Sequence, residues 1–302
     1  MKYIEEYKTI NIFSENEVFE YLISSLRETI YTYDFFVAWE KVKENTLKIE
    51  VVLNILNTLI GKYDVAGTFK KLIKQYPEIV SIIPLLIAFR KKSLKILDMD
   101  KEIEYSFYKN KKYNDEEIEK IVLFADKVGL LKIFEDKSIK NLVDYYIGVE
   151  VGLDTNARKN RTGKIMENLI EFYINNICDK YGYKYLFQAT VSKIKSEFGV
   201  EVSTDKSDRK FDFVIYAKEK IYLIEVNYFS DQGSKLKAVA GEFSNLFKVV
   251  KNENVEFIWI TDGKGWLKTK KPLLEAFSSI DYILNINMVD EGLLETILVK
   301  NL

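Results

Sequence analysis

From Ser14 to about Arg90, apolar residues recur three and four positions apart, the spacing of helices with one buried face. Ser14-Glu15-Asn16-Glu17 has the order of a capping box, in which a hydroxyl and a glutamate each satisfy a backbone N–H at a helix start. Pro77 and Pro84 are expected at a helix start and at a kink or break, because proline lacks the N–H that a helix interior needs. Short alternating runs near 93–98 and 103–108 predict a small hairpin, and helical spacing resumes from Asn114 to about Gly152. The aromatics of this half, Phe35, Phe36 and Trp39 among them, read as core rather than as base-stacking groups.

After Gly152 the pattern changes, which divides the chain into a mainly helical region, 1–150, and a second region, 151–302. The second region reads helix, strand, strand, strand, helix, strand, the order of an α/β layer fold. Its first helix is expected from Thr162 to Lys180, with Ile165, Met166, Leu169, Ile170, Phe172, Tyr173 and Ile177 on one broad face and Tyr181-Gly182 as the stop. A strand near Tyr183–Thr190 follows. Phe211–Ala217 and Ile221–Phe229 flank Lys218-Glu219-Lys220 and predict a hairpin. Gly233–Val250 keeps helical period, and Val255–Thr261 is expected to close the core sheet. The fold class is therefore α/β, a mixed central sheet flanked by helices with a mainly helical N-terminal region.

The hairpin strands FDFVIYA and IYLIEVNYF are apolar almost throughout, as central strands covered on both faces should be. Asp212 and Glu225 interrupt them, and a turn centred near Glu219 sets Asp212 beside Glu225 or its immediate neighbour. Burying one unpaired carboxylate costs several kcal/mol, so two together require a proton, a cation or a metal. Mg²⁺, which takes one or two carboxylates with waters and a substrate phosphate, suits such a pair and makes Asp212 and Glu225 candidate metal ligands and catalytic groups. Asn227, two residues on and on the same strand face, completes an Asp…Glu-x-Asn pattern. The alternative for the same acids is ion pairing with lysine or arginine from nearby loops. Glu167, at the margin of the first helix's apolar face, is a further catalytic candidate, with an ordinary solvated helix residue as its alternative.

Composition narrows the chemistry. The 302 residues include no histidine, so imidazole is excluded as base, acid or ligand. The single cysteine, Cys178, falls among apolar residues and reads as core, which leaves no disulfide and no cysteine-rich zinc site. Forty-five basic residues against 46 acidic ones make any nucleic-acid surface a local patch. No linker, repeat or membrane span is evident, and the start MKYIEEYKTI lacks the apolar run of a signal peptide, so a cytoplasmic location is expected.

The order helix, Asp on one strand, Glu-x-Asn on the next, then a helix opening with Gly233-Ser234-Lys235 resembles the PD-(D/E)xK nuclease core. That family keeps lysine where this chain has Asn227. Lys235, Lys237 or Glu167 would then supply the missing function, unless the chain is a pseudoenzyme. Longer segments narrow the resemblance: VGLDTNARKNRTGKIMENLIE at 151–171, FDFVIY at 211–216, LIEVNYF at 223–229, GSKLKAVAGEF at 233–243 and FIWITDGKGW at 257–266 look like the DpnII/MboI-type restriction endonucleases, the asparagine included. In the first half only IPLLIAFR at 83–90 contributes. The resemblance implies a restriction-endonuclease-like fold and Mg²⁺-dependent double-strand cleavage at unmethylated GATC, ahead of the G. It also implies a cognate DNA methyltransferase in the same system.

Arg158, Lys159, Arg161 and Lys164 fall within the nine residues 156–164, just before the helix carrying Glu167, and with Lys237 form the candidate DNA-binding set. Lys264, Lys268, Lys270 and Lys271 form a second basic group, as readily a solvated turn as a backbone contact. A palindromic target calls for two active sites related by a two-fold axis, hence a homodimer, with the helical region contributing base readout and dimer contacts. A structure-specific repair nuclease on the same core and a DNA-binding module with a dead site remain the alternative functions.

Overall fold

A computed structural model describes residues 4–206 and 208–300, apart from the side chains of residues 4, 156, 159 and 160. The chain divides into two compact units, Tyr33–Arg158 and the combination of Met1–Thr32 with Lys159–Leu302.

The Tyr33–Arg158 unit is built from helices, among them Trp39–Leu47, Val65–Gln75, Asp115–Lys127 and Leu142–Asp154, around Leu53, Phe69, Ile83, Phe107, Phe124 and Phe134. Pro77 opens a 3-10 turn and Pro84 sits in the first turn of a short helix, where a missing N–H costs nothing. The hairpin is present as antiparallel β1 (Ser93–Asp98) and β2 (Lys101–Ser106). The 83–90 segment ends on Arg90, whose guanidinium meets Glu150 at 2.8 Å; Glu150 is buried and also accepts from Tyr146 and Asn45. The core assignment of the aromatics needs correcting. Phe35 is buried, but Phe36 and Trp39 are 52% and 53% exposed: Phe36 follows a single 3-10 turn in irregular chain, where helical spacing does not decide which side faces inward, and Trp39 opens the helix Trp39–Leu47, whose buried residues are Val42 and Thr46.

The other unit contains a five-stranded sheet in the order β3-β4-β5-β6-β7. β3 (Lys184–Thr190), β4 (Lys210–Ala217) and β5 (Lys220–Tyr228) are antiparallel neighbours, and β6 (Val255–Asp262) and β7 (Tyr282–Leu284) continue parallel to β5. The β4–β5 connection is a two-residue turn in which Lys218 and Glu219 both take left-handed torsions, so it forms without the glycine or asparagine such turns prefer. Met166, Ile170, Ile174 and Cys178 of the helix Arg158–Tyr181 are buried in the same core as the strands and the helix Ser234–Val250.

Three expectations change here. The first helix begins at Arg158 rather than Thr162: arginine and lysine favour helix, and the one Gly163 costs only about 1 kcal/mol. A helix, Val191–Phe198, separates β3 from β4, capped by the Thr190 side chain. β6 does not close the sheet, because β7 adds to it; three residues are too few to show a strand period.

The N-terminal residues belong to this unit by packing, with Val18, Leu22, Ile23, Leu26 and Ile30 buried in its core, and by polar contacts that hydrophobic spacing does not report. Asp262, wholly buried, accepts backbone N–H groups from Arg27, Gly263 and Ile286 at 2.7, 2.6 and 3.0 Å. The Asn285 amide donates to the Leu22 carbonyl and the Ser25 hydroxyl, and the Tyr228 hydroxyl to the Arg27 carbonyl. At the ends of β5 and β6 two backbones come together so closely that a Cβ on Gly263 would lie 2.3 Å from the Phe229 carbonyl oxygen, and one on Gly265 2.6 Å from that of Asp231. The D-G-K-G-W stretch is thus a packing requirement at the end of the strand that carries Glu225. Among the described residues no helix is long and apolar enough to cross a membrane.

Candidate active site

The β4–β5 register, Phe213↔Ile224, continues one step to set Asp212 directly opposite Glu225. There the ladder is taken over by a side chain: Asp212 Oδ2 accepts the backbone N–H of Val226 at 2.9 Å, and Oδ1 accepts the Gln188 amide at 2.9 Å. Glu225 is 6% exposed, and its Oε1 is buried without a hydrogen-bond partner. Among the described residues neither acid forms an ion pair, so the lysine or arginine pairing weighed as the alternative is absent.

Burial, then the Asp212 charge, push the Glu225 carboxyl well above the usual carboxylate range, while Arg209 opposes the rise. Burial raises Asp212 as well, against hydrogen bonds from Val226 and Gln188 that favour its charged form. Two donors favour the ionised form of Asp212, whereas burial and an orphaned oxygen favour the protonated form of Glu225.

Arg209, at the entry to β4, grips Asp205 through Nε and Nη2 at 3.0 and 2.6 Å and Glu242 at 2.8 Å. Glu242 comes from the helix Ser234–Val250, so Arg209 ties that helix to the strand bearing Asp212. Sequence reading missed Arg209 and Gln188. The signal for Arg209 was its place three residues before Asp212, that for Gln188 a polar side chain in an otherwise apolar strand.

Asn227 Oδ1 accepts the indole N–H of the buried Trp259 at 3.0 Å. An indole nitrogen only donates, so this bond fixes the amide: its oxygen is engaged, and Nδ2 is left as a donor. Glu167, on the helix Arg158–Tyr181, is half-buried; burial and the Asp212 charge raise its carboxyl, and Lys164 lies 3.6 Å from Oε2. Lys164 also stands over the Phe187 ring, 4.3 Å from its centroid. Lys235 and Lys237 are exposed at the start of the helix Ser234–Val250 and pair with neither acid among the described contacts. Arg161 is half-buried in the first turns of the long helix, Arg158 donates to the Phe36 carbonyl at 3.1 Å within the Tyr33–Arg158 unit, and the side chain of Lys159 lies outside the described residues. Lys264 pairs with Glu28.

The donor set fits a hard divalent cation: two carboxylates share one face of adjoining strands, and one buried oxygen has no partner. Among the described residues no cluster of three or more acids and cysteines is arranged to hold a metal, while the Asp212 charge reaches Glu167.

The family model for the DpnII restriction endonuclease matches residues 18–296. The type II restriction enzyme MjaIII of Methanocaldococcus jannaschii is 52% identical over 288 residues, 93% of this chain and 99% of its own. The corresponding enzymes LlaDCHI of Lactococcus lactis subsp. cremoris and DpnII of Streptococcus pneumoniae are 44% and 36% identical, covering 93% and 92% of this chain and 94% and 98% of theirs. Matches that run nearly end to end, across both compact units and the acid pair, place the chain in the DpnII restriction endonuclease family.

Proposed function

We propose that the protein is a Mg²⁺-dependent type II restriction endonuclease that cuts both strands of DNA at unmethylated GATC, ahead of the G. The observation that carries the chemistry is the facing pair Asp212 and Glu225 with the unpartnered Glu225 Oε1. These two side chains would hold the cation, which when bound polarises the scissile phosphate and acidifies an attacking water.

The rest of the proposal concerns the chain's own groups. The Val226 N–H and the Gln188 amide hold Asp212 in one orientation. Asn227 offers its Nδ2 as a neutral donor where relatives of the wider nuclease core place lysine; an amide orients an oxygen but takes no proton from it. Glu167, raised by burial and by Asp212, is the acceptor proposed for the water's proton. Arg161, Lys164, Lys235 and Lys237, with Arg158 and Lys159, supply cations for DNA phosphates. A GATC target rests on the DpnII/MboI resemblance; its two-fold symmetry implies a homodimer, to which the Tyr33–Arg158 unit contributes, and self-protection implies a cognate methyltransferase.

Digestion of adenine-methylated and unmethylated plasmid with Mg²⁺ tests this. Discrete fragments from unmethylated DNA alone are expected, lost on chelation and in Asp212→Ala. Cutting confined to branched DNA, or fragments unaffected by methylation, would reject the assignment.

A further inference from the structure

Gln188 sits in β3, the edge strand of the sheet, with φ at 50°, a left-handed torsion that a glutamine inside a strand rarely adopts. The β3–β4 register is unchanged across it, Phe187↔Phe213 on one side and Ala189↔Phe211 on the other. No residue has been inserted, so the distortion is not a β-bulge. The ladder skips only the step at which Gln188 would face Asp212. What the backbone gives up there the side chain takes over, because Gln188 Nε2 donates to Asp212 Oδ1 at 2.9 Å. Torsions of this kind persist only where the surroundings over-determine them, and they gather at functional sites.

We propose that Gln188 is a positioning residue whose strained torsion aims its carboxamide at Asp212, so that the carboxylate meets a divalent cation shared with Glu225 in a single orientation. The inference rests on the active-site reading above and deepens it. Two oxygens of Asp212 are then already assigned, one to a side-chain amide and one to a backbone N–H, each with a lone pair left over. The carboxylate can bind a cation without first reorganising. A partner that orients a ligand in this way typically changes metal affinity about 10–100-fold when removed.

Gln188→Gly tests the idea, since glycine adopts the left-handed torsion freely while losing the amide. The variant is expected to melt at or above the native temperature without metal. It should bind Mn²⁺ about tenfold more weakly in calorimetric titration of the DNA-free protein. The Mg²⁺ concentration for half-maximal cleavage should rise by the same factor, with kcat at saturating metal largely restored. Native Mn²⁺ affinity in a folded variant would overturn the proposal and leave Gln188 a purely structural residue. Should the glycine variant fail to fold, Gln188→Met keeps the side-chain length, removes the donor and gives the same readout. Asp212→Ala separates the two levels: an active D212A sinks the active-site reading itself, whereas an inactive D212A alongside native metal affinity in the Gln188 variants sinks only this inference.

Discussion

In the absence of metal, Glu225→Gln is expected to melt at a higher temperature than the native chain, and the order should reverse once a divalent cation is added. The native pair confines two acids in a buried site where Asp212 takes both available donors and Glu225 Oε1 takes none. An unsatisfied buried polar group costs about 1–3 kcal/mol, and glutamine in its place stays neutral at every pH and brings an N–H₂ donor toward Asp212. For a unit of roughly 150–250 residues, each kcal/mol moves Tm by about 2–4 °C, so a gain of order 5 °C is expected in chelator. The sign can be checked against pH. The folded Glu225 carboxyl lies above its ordinary value of 4.5, so the stability of the native chain is fully present below about that pH and falls as pH rises toward the folded value, by roughly 1.4 kcal/mol per pH unit. Glutamine does not titrate, so the two proteins should melt together near the acid end of the window and diverge toward neutrality. Metal at a hundred times its Kd returns about 2.7 kcal/mol to the native protein and little to the variant. Differential scanning fluorimetry from about pH 5 to 8, with chelator or with Mn²⁺, reads all of this. A variant that melts below the native chain in chelator at neutral pH, or a native chain whose Tm ignores the metal, would refute the reasoning.

Three further outcomes are expected. Arg209→Gln removes the cation that opposes the rise at Glu225, so the acid limb of the pH–rate profile should move to higher pH; it should also cost about 1–3 kcal/mol, since the buried guanidinium leaves Asp205 and Glu242 without their shared partner. Trp259→Phe releases Asn227 Oδ1 and lets the amide turn over, which should lower kcat with little change in KM for DNA, while Asn227→Lys should retain measurable cleavage if a donor is all that position supplies; steady-state kinetics distinguishes these effects. Arg161→Ala should weaken DNA binding across sequences and reduce the salt slope of binding by about one unit, read from fluorescence anisotropy at several salt concentrations.

Much of this was legible in the sequence because the signals were long or contradictory. The helix Ser234–Val250 keeps its period for 17 residues, and the β4–β5 hairpin announced itself as two apolar runs around a short charged turn. Asp212 and Glu225 stood out because carboxylates do not belong in such strands. What stayed hidden depends on contacts distant in sequence. Helical spacing shows that Val18, Leu22 and Ile23 are buried but not against what, and the polar contacts that fix the N-terminal residues through Asp262 and Asn285 leave no periodic trace. β7 is too short to pattern, and the exposure of Phe36 and Trp39 follows from irregular chain at the one and the exposed opening turn of a helix at the other. Gln188 is the sharpest case, since its role lies in a backbone torsion that no residue type at that position demands.

On the function proposed above, asparagine stands at 227 where the wider nuclease core has lysine, and the geometry gives a reason that it can. A lysine at 227 would bring a positive charge to the acid pair and partly meet the need that a metal otherwise meets. Asn227 brings none, and the guanidinium whose charge reaches Glu225 is already shared between Asp205 and Glu242. The cost of confining Asp212 with Glu225 is therefore left for an arriving cation to relieve, and the energy released on its binding is correspondingly larger. In the proposed site, a neutral donor fixed through Trp259 would couple the catalytic state more tightly to metal than a lysine would. On that reading three other residues share what a lysine would do: Trp259 sets the donor, Arg209 moderates Glu225, and Gln188 holds Asp212.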